Sequence, residues 1–162
     1  MIYKTRQVLI LILFLVCVNF SFLGAQLQLG TANNMKVNWQ KQFKKIDAKK
    51  VVLEMKGTIP HGLHVFSVIP PDEPANIPTT LELTPTCKGV KLDGKLQEKG
   101  KLITEFDPIF NTNLRYFKNE VIFTQGFLLS GKANKIEAIL KYQVCDESGK
   151  CVMQTEEVNW SE

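Results

Sequence analysis

Cys145 and Cys151 flank the five-residue segment Asp146-Glu-Ser-Gly-Lys150, while Cys87 stands alone between Thr86 and Lys88. Cysteines at i and i+6 on either side of a tight turn can face each other across an antiparallel hairpin. Their Cα atoms would then lie roughly 4.5 to 5.5 Å apart, which is disulfide distance. Such a bridge either pins the hairpin or opens and closes by thiol–disulfide exchange. Because the thiolate is the reactive form, neighbouring charges rank the two sulfurs. Asp146 and Glu147 disfavour a thiolate at Cys145, and Lys150 favours one at Cys151. Cys151 is therefore the expected attacking sulfur.

The elements that must position this pair read as strands. Val51, Leu53, Met55 and Ile59 alternate with Val52, Glu54, Lys56 and Thr58, a period of two. Val121, Phe123 and Phe127 alternate in the same way with Glu120, Thr124 and Gly126, and Ala138, Leu140, Tyr142 and Val144 with Glu137, Lys141 and Gln143. Turn signals at Pro60-His-Gly62, Pro70 to Pro74, Asp93-Gly94, Ser130-Gly131 and Ser148-Gly149 separate the runs. Roughly seven to nine short strands in one domain predict an all-β, immunoglobulin-like antiparallel sandwich. Two longer connections, Ile69 to Thr79 and Asp107 to Tyr116, are where function is expected to sit.

Parity adds a further expectation. Cys145 keeps step with Ile139, Lys141 and Gln143, and Cys151 with Met153, Thr155 and Glu157, opposite the apolar sets of their strands. Both sulfurs are thus expected on the more polar, outer face, unlike a bridge that joins two sheets through a core. The entropic stabilisation from so small a ring is only about 2 to 2.5 kcal/mol. Two readings stay open on these residues: a redox pair, or a clip in an exported binding domain.

Composition narrows the setting. Lys4 and Arg6 precede the apolar run from Val8 to Val16, and Gly24-Ala25 precedes Gln26, the pattern of a signal peptide over residues 1–25. Removing 25 of the 162 residues leaves 137 for one domain over 26–162. Losing Lys4 and Arg6 takes the net charge from +4 to +2. This balance gives no reason to expect nucleic acid, and no later apolar run is long enough for a transmembrane span. Cys17 leaves with the signal. The three remaining cysteines suggest one pair and one spare thiol in an oxidising compartment.

Other residues read more plainly. His61 and His64 would point to opposite faces of a strand and have no Cys or carboxylate partner nearby, so turn and strand roles are expected and no metal site. Cys87 reads as a small buried side chain, and Trp39, Phe43, Phe66, Phe123 and Trp160 as core. Phe110, in the second long connection, is the aromatic not expected to be purely core. No phosphate loop, Ser-His-Asp arrangement or spaced carboxylate pair is present, and no cofactor is expected.

The stretch from Tyr142 through Cys151, with Ile59-Pro-His-Gly-Leu-His-Val-Phe-Ser67, Ile77-Pro-Thr-Thr80 and Asp107-Pro-Ile-Phe110, resembles the N-terminal periplasmic domain of the thiol:disulfide interchange protein DsbD. The resemblance runs from about Met35 to Trp160. It implies a periplasmic immunoglobulin-like domain whose cysteine pair relays electrons, with Cys151 forming mixed disulfides and Cys145 resolving them. It also implies a cap loop at Asp107 and Phe110, with the Phe110 ring over the disulfide. The partners implied are thioredoxin-like periplasmic proteins. In that family the domain is normally fused to a membrane domain and a thioredoxin-like domain; these 162 residues hold neither, which implies a separate membrane electron donor. The family's proline shortly after the second cysteine is replaced here by Val152-Met-Gln-Thr155.

Overall fold

The computed structural model describes residues 35–162, so the expected signal peptide lies outside the described residues. Ten strands form two antiparallel sheets. They are β1 (Asn38–Lys45), β2 (Lys50–Thr58), β3 (Leu63–Phe66), β4 (Thr80–Leu83), β5 (Val90–Lys99), β6 (Ile103–Asp107), β7 (Thr112–Phe117), β8 (Glu120–Leu129), β9 (Lys135–Asp146) and β10 (Cys151–Ser161). One sheet has the order β1-β2-β8-β5. The other runs β10-β9-β3-β7-β6, with β4 also paired to β9. The chain is an immunoglobulin-like β-sandwich, and among the described residues no helix is long and apolar enough to cross a membrane.

Alternation of apolar and polar residues decides which face of each strand is buried. Val51, Leu53 and Met55 of β2 and Val121, Phe123 and Phe127 of β8 are fully buried. They meet Ile136, Ala138, Leu140 and Val144 of β9 in one core. Each large apolar side chain so buried stabilises the fold by about 1.5 to 3 kcal/mol. Trp39 packs against this core and lies flat over its register partner Gly57, where a Cβ would come within 2.5 Å of the indole. Gly57 is therefore needed for the approach of the ring rather than for its backbone angles.

Three sequence expectations are corrected. The described residues form ten strands rather than seven to nine. The stretch from Asp107 to Tyr116 is a hairpin and not a long connection: β6 and β7 pair from Ile103↔Tyr116 to Asp107↔Thr112. Asp107 Oδ1 accepts hydrogen bonds from the amides of Ile109 (2.8 Å) and Phe110 (3.2 Å), and Asn111 closes the turn at φ 51°. Asparagine tolerates that conformation better than most residues. Phe66 is not part of the main core; it belongs to a separate cluster on the outer face of the six-stranded sheet. By contrast, the connection from Ile69 to Thr79 is a true loop.

Candidate functional site

The cysteine hairpin is built as the spacing demands. Cys145 and Cys151 are register partners on β9 and β10, with Cα atoms 4.1 Å apart, and they form a disulfide. The turn between them is organised by Asp146, whose Oδ1 accepts from the Ser148 amide (2.9 Å), the Ser148 hydroxyl (2.6 Å) and the Lys150 amide (3.0 Å). The Ser148 hydroxyl leads in holding the Asp146 carboxyl below its ordinary pKa, with the Lys150 amide next. Gly149, at φ 83°, supplies the left-handed residue that the turn requires.

Strand β9 lies between β10 and β3, and His64 of β3 is the register partner of Cys145 on that side. Directly opposed residues of antiparallel strands share a face. Cys151, Cys145 and His64 thus form one row across three strands on the outer face. A second row, Phe66, Tyr116 and Ile103, runs across β3, β7 and β6. Phe66, Tyr116 and Cys145 form a small buried cluster, with Ile103 and Leu114 packed against it.

The outer face is therefore not polar where the disulfide sits, which corrects half of the parity expectation. Cys145 is only 2% exposed, whereas Cys151 is exposed. The burial comes from chain laid over the sheet. The Ile69 to Thr79 loop crosses this face, with the Ile77 amide donating to Gln143 Oε1 (2.9 Å) and the Glu73 amide approaching Thr112 Oγ1 (3.4 Å). Its register is held at one end by Thr79, whose hydroxyl donates to the Phe66 carbonyl at 2.6 Å.

Together these elements border an open cavity of about 610 Å³. Both cysteines, His64, Phe66 and Tyr116 line it, with Ala75 of the loop, Glu147 of the hairpin turn and Phe110 of the β6–β7 turn. The structure thus brings every expected site residue, Cys151, Cys145, Asp107 and Phe110, to one cavity. The rim exposes apolar side chains to solvent. Phe106 is 56% exposed, Ile109 85% and Phe110 48%, and Met153, two residues beyond Cys151 on β10, is 46% exposed. Cys87 lies elsewhere, half-buried against the core, where it accepts the Glu137 amide at 3.4 Å.

The electrostatics of the cavity floor follow from burial. The Tyr116 hydroxyl donates to Glu105 Oε2 at 2.5 Å; burial first, and that carboxylate second, push its pKa up to about 12. The His64 ring lies against Tyr116 (centroids 4.6 Å apart) and edge-on to Phe66 (5.4 Å). Burial, and then the nearby Lys118 ammonium, lower its pKa below the ordinary 6.5 and favour the neutral imidazole. His64 and Tyr116 had drawn no functional expectation from the sequence. Tyr116 carried a usable signal, because Thr112, Leu114 and Tyr116 alternate as a strand does.

Known proteins can be set beside this geometry. The chain has the fold of the N-terminal periplasmic domain of ScsB from Proteus mirabilis. That crystal structure superposes with a TM-score of 0.58 at 12% identity, over 82% of this chain and 49% of the other, so this chain spans about half of its length. The reduced DsbD N-terminal domain of Neisseria meningitidis gives 0.48 at 17% identity over 82% and 94%. The yeast GGA1 GAE domain gives 0.45 at 12% over 83% and 96%. No protein-family model and no curated protein matches the sequence.

Proposed function

We propose that this domain is a periplasmic thiol–disulfide exchange module that passes two electrons to partner disulfides through Cys145 and Cys151. The observation that carries the reading is the unequal burial of two bonded sulfurs beside an open cavity. Cys151 is presented to solvent, while Cys145 is buried against Phe66 and Tyr116. A hairpin clip needs no such asymmetry, whereas an exchange pair needs one sulfur that a partner can reach and one that it cannot.

In the reduced domain the Cys151 thiolate attacks one sulfur of a partner disulfide. The partner's S–S bond breaks, its other sulfur leaves as a thiolate and takes a proton, and a mixed disulfide joins Cys151 to the partner. Cys145 then attacks the Cys151 sulfur. The Cys145–Cys151 bond forms, the mixed bond breaks, and the partner departs with both of its sulfurs reduced. Thioredoxin-like periplasmic proteins are the partners that fit, and a separate membrane carrier would restore the two thiols. The apolar rim at Phe106, Ile109 and Phe110 supplies a docking surface, with Phe110 as the cap that a partner displaces.

Trapping tests the reading. Cys145→Ala is expected to accumulate mixed disulfides through Cys151, and Cys151→Ala to accumulate none. The reduction potential of the pair is expected above about −300 mV, the level below which inert structural bridges lie. A potential well below that level, with no adducts from Cys145→Ala, would establish a hairpin clip in an exported binding domain instead.

A further inference from the structure

The Cys145 sulfur must lose a proton to attack, yet it sits among Phe66, Tyr116, Ile103 and Leu114, surroundings that disfavour a thiolate. The exchange proposed above therefore requires a base at the buried sulfur and not at the exposed one. We propose that His64 is that base: its imidazole takes the Cys145 proton as Cys145 attacks the mixed disulfide held on Cys151. The inference rests on the exchange reading and adds a residue to it.

Position is the first argument. His64 is directly opposite Cys145 in the β3–β9 register, and Cβ atoms so opposed lie about 4.5 to 5.5 Å apart on one face. Cys145 has Cys151 as its register partner on the other side. Base, resolving sulfur and attacking sulfur thus stand in one row, and all three line the same cavity. The Tyr116 and Phe66 rings against His64 limit where its imidazole can point.

The carboxylates that act on the imidazole are engaged elsewhere. The Tyr116 hydroxyl donates its proton to Glu105 and so engages that carboxylate. Asp146 Oδ1 accepts three hydrogen bonds from its own turn, which hold that carboxyl below its ordinary pKa and make it a weak base. Glu147 is paired with Lys118 across 3.7 Å at the surface, and Lys118 is itself a cation that lies over the Tyr116 ring at 5.9 Å. Of the groups around the imidazole, Lys118 favours its neutral form, while Glu105, Asp146 and Glu147 oppose burial more weakly. A neutral imidazole at neutral pH is a proton acceptor. In the step, the S–H bond of Cys145 breaks, the proton passes to His64 and the sulfur's electron pair forms the bond to Cys151. The imidazolium then returns the proton to the departing partner thiolate or to water.

The test uses the reduced chain with Cys17 and Cys87 replaced by serine, mixed with dithiobis(nitrobenzoate). Attack by Cys151 releases one thionitrobenzoate, and resolution by Cys145 releases a second and leaves none attached. The rate of the second release is expected to rise with pH through an inflection below 6.5, the ordinary histidine value. His64→Phe, which keeps an aromatic ring, and His64→Gln are both expected to slow that release by about 100-fold, in the range of a lost general base. Both should abolish the inflection and leave the first release unchanged. With His64→Ala, free imidazole is expected to restore part of the second rate, which a packing role would not allow. Unchanged second release in both variants, or equal slowing of both releases, overturns the role of His64 and leaves the exchange reading standing. Failure of the unsubstituted pair to expel the second thionitrobenzoate overturns the exchange reading itself.

Discussion

On its inner face the six-stranded sheet buries Phe117, Leu140 and Val144 beneath a second sheet, in a core continuous from Met35 to Val158. On its outer face the buried apolar cluster is small, Phe66, Tyr116 and Cys145, with the Ile69 to Thr79 loop laid across the same face. The first arrangement excludes water on all sides. The second leaves a cavity of about 610 Å³ with Cys151, Phe106 and Ile109 at its edge. Close packing on the inner face holds the fold, since any lost volume leaves a void. The outer cluster is too small to add much stability, but it removes one sulfur of a disulfide from water and leaves the other within reach.

Five substitutions probe this contrast, from large effects on stability to small ones. Phe123→Ala, on the inner side, is expected to lower unfolding stability by about 3 to 5 kcal/mol, read from urea denaturation of the oxidised domain. Cys151→Ala removes the bridge and should cost about 2 kcal/mol in the loop-closure description. With Cys87 also replaced by serine, it should abolish the formation of mixed disulfides with added disulfides. Equal losses from Phe123→Ala and Phe66→Ala would erase the distinction between the two faces.

Tyr116→Phe keeps the ring and loses the hydrogen bond to Glu105, which should cost about 1 kcal/mol near neutral pH. Its pH dependence has a definite sign. The folded-state pKa of Tyr116, about 12, lies above the unfolded value of 10.0, so the folded chain holds the proton more tightly. Stability from this group is complete below pH 10 and is lost as pH rises toward 12. The deficit of Tyr116→Phe, followed by denaturation at successive pH values, should therefore shrink across that window. Phe110→Ala is expected to change stability by less than about 0.5 kcal/mol, as exposed positions usually do, yet to speed reduction of the disulfide by dithiothreitol severalfold. An unchanged reduction rate would remove Phe110 from the cap role.

Much of this arrangement is legible along the chain. Strands β2, β8 and β9 show a period of two, interrupted in β8 by the inward Gln125, and the burial of Val51 to Met55, Val121 to Phe127 and Ile136 to Val144 follows it. The hairpin partners Cys145 and Cys151 follow from a six-residue offset across a turn that contains Gly149. Strand β7 was harder to read. Its alternation begins directly after Pro108-Ile-Phe-Asn111, and an asparagine at positive φ closes a turn that the sequence presents as the start of a loop. Phe66 reads as core from the sequence because an aromatic residue on a strand suits either a core or a covered outer face.

The sequence by itself determined the strand periodicity, the pairing of the two cysteines and the face of the sheet on which they lie. These properties depend on neighbours within a few residues. Only the tertiary structure decided that Cys145 is buried while Cys151 is not, and that His64 stands opposite Cys145. Parity names a side chain's face but not what covers it. The cover here comes from the Ile69 to Thr79 loop and from the Phe66 and Tyr116 side chains, and the row Cys151, Cys145 and His64 exists because β3, far back in the chain, pairs with β9.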